Sequence, residues 1–138
     1  MRVMTNGCFD IFHLGHLQLI NFSKSLGDEL FIAINSDFSI KKLKGPSRPI
    51  LDQKYRLKFI SSIPGVTKAE IFKDTNCANI IRKWRPDIYV KSSDYELNSL
   101  NKNEKTALEE VGSIIKFMKI TEEVSSSSII SKIQSIKK

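Results

Sequence analysis

The chain holds two histidines, and both fall within the stretch Gly7-Cys8-Phe9-Asp10-Ile11-Phe12-His13-Leu14-Gly15-His16. A close imidazole pair is either a half-built metal site or a set of donors for an anion. Zinc normally takes three or four protein ligands, and Cys8 and Cys77 show no paired metal-ligand spacing. The anion reading has more support around it. Arg2 to Thr5 reads as a first strand, and Leu17 to Leu26, closed by Gly27, reads as a helix with a glycine stop. The stretch is therefore a strand, a glycine-containing turn and a helix N-terminus. Backbone N–H groups at a helix start lack partners and carry partial positive charge, which suits a phosphate. In a parallel α/β sheet such a turn lies at the carboxyl end of a strand, where ligands bind. Gly15 lets a ligand approach the backbone between the two rings. The chemistry is that of a triphosphate cradle.

A chain of 138 residues is expected to form one domain, residues 1–138, with a substantial core. Its 41% apolar content excludes a disordered or fibrous protein. No uninterrupted apolar segment is long enough to span a bilayer, so no membrane partner is expected. No charged-then-apolar leader precedes the first strand, and two cysteines give no disulfide framework. A cytoplasmic enzyme is the expectation.

The formal net charge of +7 asks for an anionic partner. The basic residues are spread along the chain, with clusters only at Lys41-Lys42-Leu43-Lys44 and Lys137-Lys138. Without an aromatic-basic stacking motif, nucleic acid is not expected. Nucleoside triphosphates and sugar phosphates account for both the charge and the histidines.

The elements that must position these residues alternate between strand and helix, which implies βαβ units and a parallel sheet. Glu29 to Asn35 is a continuous apolar run, as expected of a strand covered on both faces. Asn35-Ser36-Asp37 closes it at the same sheet edge as the first turn. Ser39 to Pro49 reads as a basic loop able to close over an anion. Asp52 is the N-cap of the next helix, whose buried face is read as Tyr55, Phe59, Ile60 and Ile63, ending at Pro64-Gly65. A strand at Ala69 to Phe72, a helix at Asn76 to Trp84 and a strand at Asp87 to Lys91 follow. Ser92-Ser93-Asp94-Tyr95 is the turn beyond. Asn101 to Val111 is a helix ending at Gly112, and Ser113 to Ile120 is a fifth strand. The last helix starts among Ser125 to Ser128 and carries Ile129, Ile130, Ile133 and Ile136 on one face. The fold class is α/β: a single Rossmann-like domain, a doubly wound five-stranded parallel sheet with helices on both faces.

In that fold the turns after strands one, two and four meet the start of the last helix. They gather His13, His16, Asp37, Asp94 and the serines around one crevice, with Lys44, Arg48 and Arg56 approaching from the side. There is no Ser-His-Asp arrangement, no P-loop and no zinc cluster. A crevice rich in donors and cations but poor in nucleophiles suits phosphoryl or nucleotidyl transfer, where positioning and charge stabilisation do most of the catalysis.

Gly7-Cys8-Phe9-Asp10 followed by His13-Leu14-Gly15-His16 resembles the HxGH motif of the cytidylyltransferase-like nucleotidylyltransferases. Nearly the whole chain is similar to the adenylyltransferase domains that make nucleotide-activated heptose. The matching stretches are Asn35-Ser36-Asp37, Leu43-Lys44-Gly45, Arg48-Pro49, Tyr55-Arg56-Leu57, Pro86-Asp87, Val90-Lys91, Asp94-Tyr95 and Ser125-Ser126-Ser127. It resembles glycerol-phosphate cytidylyltransferases more loosely. The resemblance implies transfer of a nucleoside monophosphate from an NTP, ATP or CTP, to a sugar or polyol phosphate, with release of pyrophosphate. It implies Mg²⁺ carried with the NTP, and a homodimer.

The same resemblance assigns roles. His13, His16 and Lys44 are catalytic, and Gly7, Cys8, Phe9, Asp10, Gly15, Asp94, Ser125, Ser126 and Ser127 bind the nucleotide. Asp37, Arg48 and Arg56 bind the substrate, with Arg56 the first choice for its phosphate. Asp10 either orients the turn or meets Mg²⁺ through water. The heptose enzymes have Gly-Gly where this chain has Ser92-Ser93, a Thr-Thr pair at Ser126-Ser127, and a smaller residue commonly at Val124. The arginine of pantetheine-phosphate and nicotinamide-nucleotide adenylyltransferases is missing near Ile130 and Ser131, which disfavours those activities. A non-catalytic nucleotide-binding module is the rival reading. A tRNA synthetase fragment is disfavoured by the absence of a Lys-Met-Ser-Lys-Ser loop.

Overall fold

The computed structural model describes residues 1–92, 100–119 and 125–136. Five parallel strands form one sheet in the order β3-β2-β1-β4-β5. In chain order the strands are β1 (Arg2–Gly7), β2 (Glu29–Asn35), β3 (Lys68–Phe72), β4 (Ile88–Ser92) and β5 (Ile114–Met118). The helices are α1 (Leu14–Lys24), α2 (Asp37–Lys44), α3 (Gln53–Ser61), α4 (Ala78–Trp84), α5 (Lys102–Val111) and α6 (Ser126–Gln134). The doubly wound α/β architecture expected from the alternation is what the chain adopts.

Side chains alternate across the sheet with the period of two that a pleated strand imposes. Val3, Leu30, Ile32, Ile34, Ile88 and Val90 pack on one face against Leu19, Ile20 and Ile60. Met4, Phe31, Ala33, Phe72 and Tyr89 pack on the other against Ile80, Ile81, Trp84 and Leu108. Both faces are covered, which is why β2 is apolar at nearly every position.

The strand order reverses at β1, which pairs with β2 on one side and β4 on the other. The register sets Gly7 beside Ile34, Asn35 beside Phe72, and Ser92 beside Met118. The carboxyl ends of β1, β2 and β4 therefore share one sheet edge, at the topological switch point where open α/β sheets bind ligands.

Two element readings need correction. Residues 37–44 are helical rather than a basic loop: Ser36 caps the helix by accepting from the Ser39 N–H, and Ile40 is fully buried. Only residues 45–49 remain irregular, with Gly45 at φ 99°, a conformation that favours glycine. The helix after Asp52 buries Arg56 and Ile60, while Tyr55 and Phe59 are exposed. On α6, Ile129 and Ile130 are half-buried, and Ile133 and Ile136 are exposed. Asp52 and Ser125 are N-caps and Gly112 is a left-handed C-cap, as the sequence indicates. Among the described residues, no helix is long and apolar enough to cross a membrane.

Candidate functional site

β1 runs through Gly7, and α1 begins at Leu14, so His13 is the N-cap and His16 lies in the first helical turn. The His13 Nδ1 accepts the Gly15 N–H at 3.1 Å, and the His16 Nδ1 accepts the His13 N–H at 3.2 Å. This is a capping box in which two imidazoles replace the usual hydroxyl and carboxylate. The rings stack with centroids 3.7 Å apart and 22° between their planes.

Those two bonds fix the tautomers. A nitrogen that accepts a backbone N–H carries no proton, so in each neutral ring the hydrogen sits on Nε2. Burial, the neighbouring His13 and the charge of Lys44 push the His16 pKa down to about 3. Burial also lowers that of His13. Both rings are neutral at pH 7 and each offers one Nε2–H donor. Aromatic walls account for the desolvation: the Phe9 and Phe12 rings lie 5.1 Å and 5.4 Å from the His16 ring.

Phe9 is buried, with φ at 50°. Its ring covers Gly7, where an added Cβ would sit 3.1 Å from the Phe9 Cε2. Gly7 and Phe9 thus shape the turn, and the Phe9 ring walls the histidines. Burial raises the Cys8 thiol pKa, although the charges of Lys44 and Arg56 counter it. The charge of Lys44, at the end of α2, opposes the rise at Cys8 and adds to the fall at His16.

The start of α6 closes the other side. The buried Ser126 hydroxyl donates to the Ile11 C=O at 3.2 Å and accepts the Ile11 N–H at 3.4 Å, tying α6 to the cradle turn. Ser125 accepts from the Ser128 N–H. Ser127 is exposed, and Arg48 Nη2 reaches its hydroxyl at 3.5 Å. Hydrogen bonds thus join the turn that leads into His13 and His16 to α6 through Ser126, and α6 to Arg48 through Ser127. Asp94 lies outside the described residues.

Two assignments are corrected. Arg56 is only 1% exposed and is already engaged. Its Nε donates to the Leu51 C=O at 2.9 Å, its Nη1 to the Cys8 and Asn35 C=O groups at 2.7 Å each, and its Nη2 to Asp37 Oδ1 at 2.8 Å. A guanidinium spent on four acceptors is not placed to seize a substrate phosphate, and Asp37 is held by the same bond. Asp10, 2% exposed, accepts the Ile50 N–H at 2.9 and 3.0 Å and the Leu51 N–H at 2.9 Å. That carboxylate orients backbone and has no open face toward a hydrated Mg²⁺. Among the described residues, no group of three or more His, Cys, Asp and Glu side chains could hold a metal ion.

Sequence reading missed the partners of these two charges, the backbone of Ile50 and Leu51 and the carbonyls of Cys8 and Asn35. The one signal was the four-residue spacing of Arg56 and Ile60, which puts an arginine on a buried helical stripe. A cavity of about 420 Å³, lined by Phe38, Lys42, Lys73, Asn76, Asn79 and Asn103 among others, was also not anticipated. It contains none of the cradle residues.

Residues 4–132 match the family model described as cytidylyltransferase-like. The chain is 38% identical over 133 residues to the bifunctional protein HldE of Koribacter versatilis, covering 94% of this chain and 26% of the relative. It is 36% identical over 135 residues to HldE of Pasteurella multocida, covering 98% of this chain and 28% of that protein. The chain thus spans about a quarter of the length of these curated relatives. A lipopolysaccharide core biosynthesis protein from Thermoplasma volcanium superposes with a TM-score of 0.70 at 30% identity, over 90% of this chain and 98% of that one. A protein of unknown function from Archaeoglobus fulgidus superposes with a TM-score of 0.64 at 25% identity, over 91% of this chain and 93% of that one.

Proposed function

Because this chain belongs to the cytidylyltransferase-like family, we propose that it transfers a nucleoside monophosphate from an NTP to a sugar phosphate, releasing pyrophosphate. The observation that carries this reading is the pair of neutral imidazoles at the start of α1, each with Nδ1 tied to backbone and Nε2–H free to donate.

In the proposed reaction an oxygen of the acceptor's phosphate attacks the α-phosphorus. The α–β bridging bond breaks on the opposite side, and its electron pair leaves on pyrophosphate. No side chain is acylated or phosphorylated. Negative charge grows on the departing phosphates, and donors fixed before the reaction stabilise it without reorganising. The His13 and His16 Nε2–H groups serve as those donors. Lys44 supplies the nearby positive charge, and the start of α6 with Ser127 and Arg48 receives the far end of the triphosphate. Mg²⁺ arrives on the NTP as part of the substrate and is held through its phosphates.

The acceptor we propose is a heptose 1-phosphate and the nucleotide ATP, as the sequence resemblance indicates. Pyrophosphate release with ATP, CTP, GTP and UTP, each against heptose 1-phosphate and glycerol 3-phosphate, tests this. Turnover confined to ATP with heptose 1-phosphate is expected. Turnover with CTP and glycerol 3-phosphate would shift the reaction to cytidylyl transfer. NTP binding with no release from any pair would make the chain a binding module. A homodimer belongs to the same proposal and is read by sedimentation equilibrium.

A further inference from the structure

The segment from Asp37 to Leu51 leaves the sheet edge after β2 and returns just before α3. It carries Lys44 and Arg48, the two cations assigned above to the triphosphate. Two buried charges close its base. The guanidinium of Arg56 holds Asn35 and Asp37 where the segment departs, and Leu51 where it returns. With the same Nη1 it holds the Cys8 carbonyl of the cradle turn. The carboxylate of Asp10, two residues further along that turn, holds the Ile50 and Leu51 N–H groups. Leu51 is thus gripped at both ends of its backbone, its N–H by an acid and its C=O by a base. The Gln53 amide oxygen adds a bond from the Asp37 N–H at 3.0 Å.

We propose that Asp10 and Arg56 form a clasp that sets Lys44 and Arg48 against the histidine cradle, as positioning residues rather than substrate ligands. The inference rests on reading the cradle as an NTP site. The residue types suit the task. Only a planar guanidinium reaches four acceptors in a fixed fork, and lysine cannot replace it. Burying a charge is costly unless each lone pair or proton finds a partner, and here nearly every partner is backbone of one of the three joined turns. Such bonds fix where a chain segment lies.

The test is a double-mutant cycle on nucleotidyl transfer. In Asp10→Asn, one of the two oxygens becomes an amide facing the N–H groups of Ile50 and Leu51, so the clasp opens without loss of volume. Displacing the cations by about an ångström lowers kcat/KM for the NTP about 100-fold. In a background carrying both Lys44→Ala and Arg48→Ala the same substitution lowers it less than about threefold, because the cations it positions are already gone. Equal losses in both backgrounds would overturn the proposal, as would a raised Mg²⁺ requirement in Asp10→Asn, which would mark Asp10 as a metal residue.

Amide exchange supplies a readout independent of turnover. In Asp10→Asn and in Arg56→Lys the Ile50 and Leu51 amides exchange at least tenfold faster, while those of β1 and β2 keep their protection. Unchanged protection at Leu51 would overturn the clasp. If the wild-type chain transfers nothing to any acceptor, the nucleotidyl reading fails on its own, and exchange still judges the clasp.

Discussion

Replacing His16 in two ways separates the two jobs its ring performs. Nδ1 caps the helix by accepting the His13 N–H at 3.2 Å, and in the proposed reaction Nε2–H is the donor. Asparagine places its Oδ1 where Nδ1 lies but has nothing at the Nε2 position. Glutamine reaches the Nε2 position with an N–H but vacates the cap. Loss of a capping bond costs about 1 kcal/mol, which in a domain of this size lowers Tm by roughly 3–5 °C. Loss of one fixed donor to developing phosphate charge costs about 100- to 1,000-fold in kcat, or roughly 3–4 kcal/mol in the barrier. His16→Asn is therefore expected to melt like the wild type and to be slow. His16→Gln is expected to melt lower and keep more of the rate, and His16→Ala to show both losses. Thermal unfolding and pyrophosphate release at saturating NTP read the two quantities separately. A His16→Asn enzyme as fast as the wild type would refute the assignment of Nε2–H as donor, and an unchanged Tm in His16→Ala would refute the cap.

Three other outcomes are expected. The folded-state pKa of His16 lies below its ordinary value of 6.5, at about 3, so between those values the unfolded chain binds the extra proton. Its contribution to stability is complete above about pH 6.5 and is lost as pH falls toward 3, by at most about 1.4 kcal/mol per pH unit before solvent screening. Urea melts from pH 7.5 to 4.5 show this slope in the wild type and a shallower one in His16→Asn; equal slopes would contradict it. Arg56→Met leaves Asp37 and three carbonyls without their donor and is expected to destabilise by about 3–5 kcal/mol in urea unfolding, so a loss under 1 kcal/mol would contradict the buried network. Glu104, 5% exposed, accepts the buried Cys77 N–H at 2.8 Å. Glu104→Ala is expected to cost about 1–3 kcal/mol, and an unchanged unfolding midpoint would show that this bond carries no weight.

Much of this fold can be read from local pattern. The run Leu30 to Ile34 is apolar at every position because both faces of β2 are covered, and Asp52 and Asn101 stand where helix N-caps are needed. The cradle is legible for the same reason: its glycine, its turn and its two histidines are contiguous in sequence. What escaped was long-range. Residues 37–44 carry lysines at 41, 42 and 44 and just two fully buried residues, Ser39 and Ile40, so their helical state rests on the Ser36 cap and those two. Arg56 looks like a free cation in sequence because the carbonyls that consume it come from residues 8, 35 and 51. Ser126 was read as a phosphate ligand, whereas its hydroxyl bonds Ile11 on the cradle turn. A charged side chain announces its chemistry in sequence, but its partners are set by how the strands are ordered.

The central claim is that two neutral imidazoles at the mouth of α1 donate through Nε2–H to a triphosphate. Nitrogen-15 NMR of the two histidine side chains at pH 7, recorded during titration with Mg²⁺-bearing NTP, measures this directly. Both rings are expected in the Nε2–H tautomer before nucleotide is added, with their Nε2 resonances moving together as the site fills. Rings in the opposite tautomer, or resonances that stay still at saturating NTP, would contradict it.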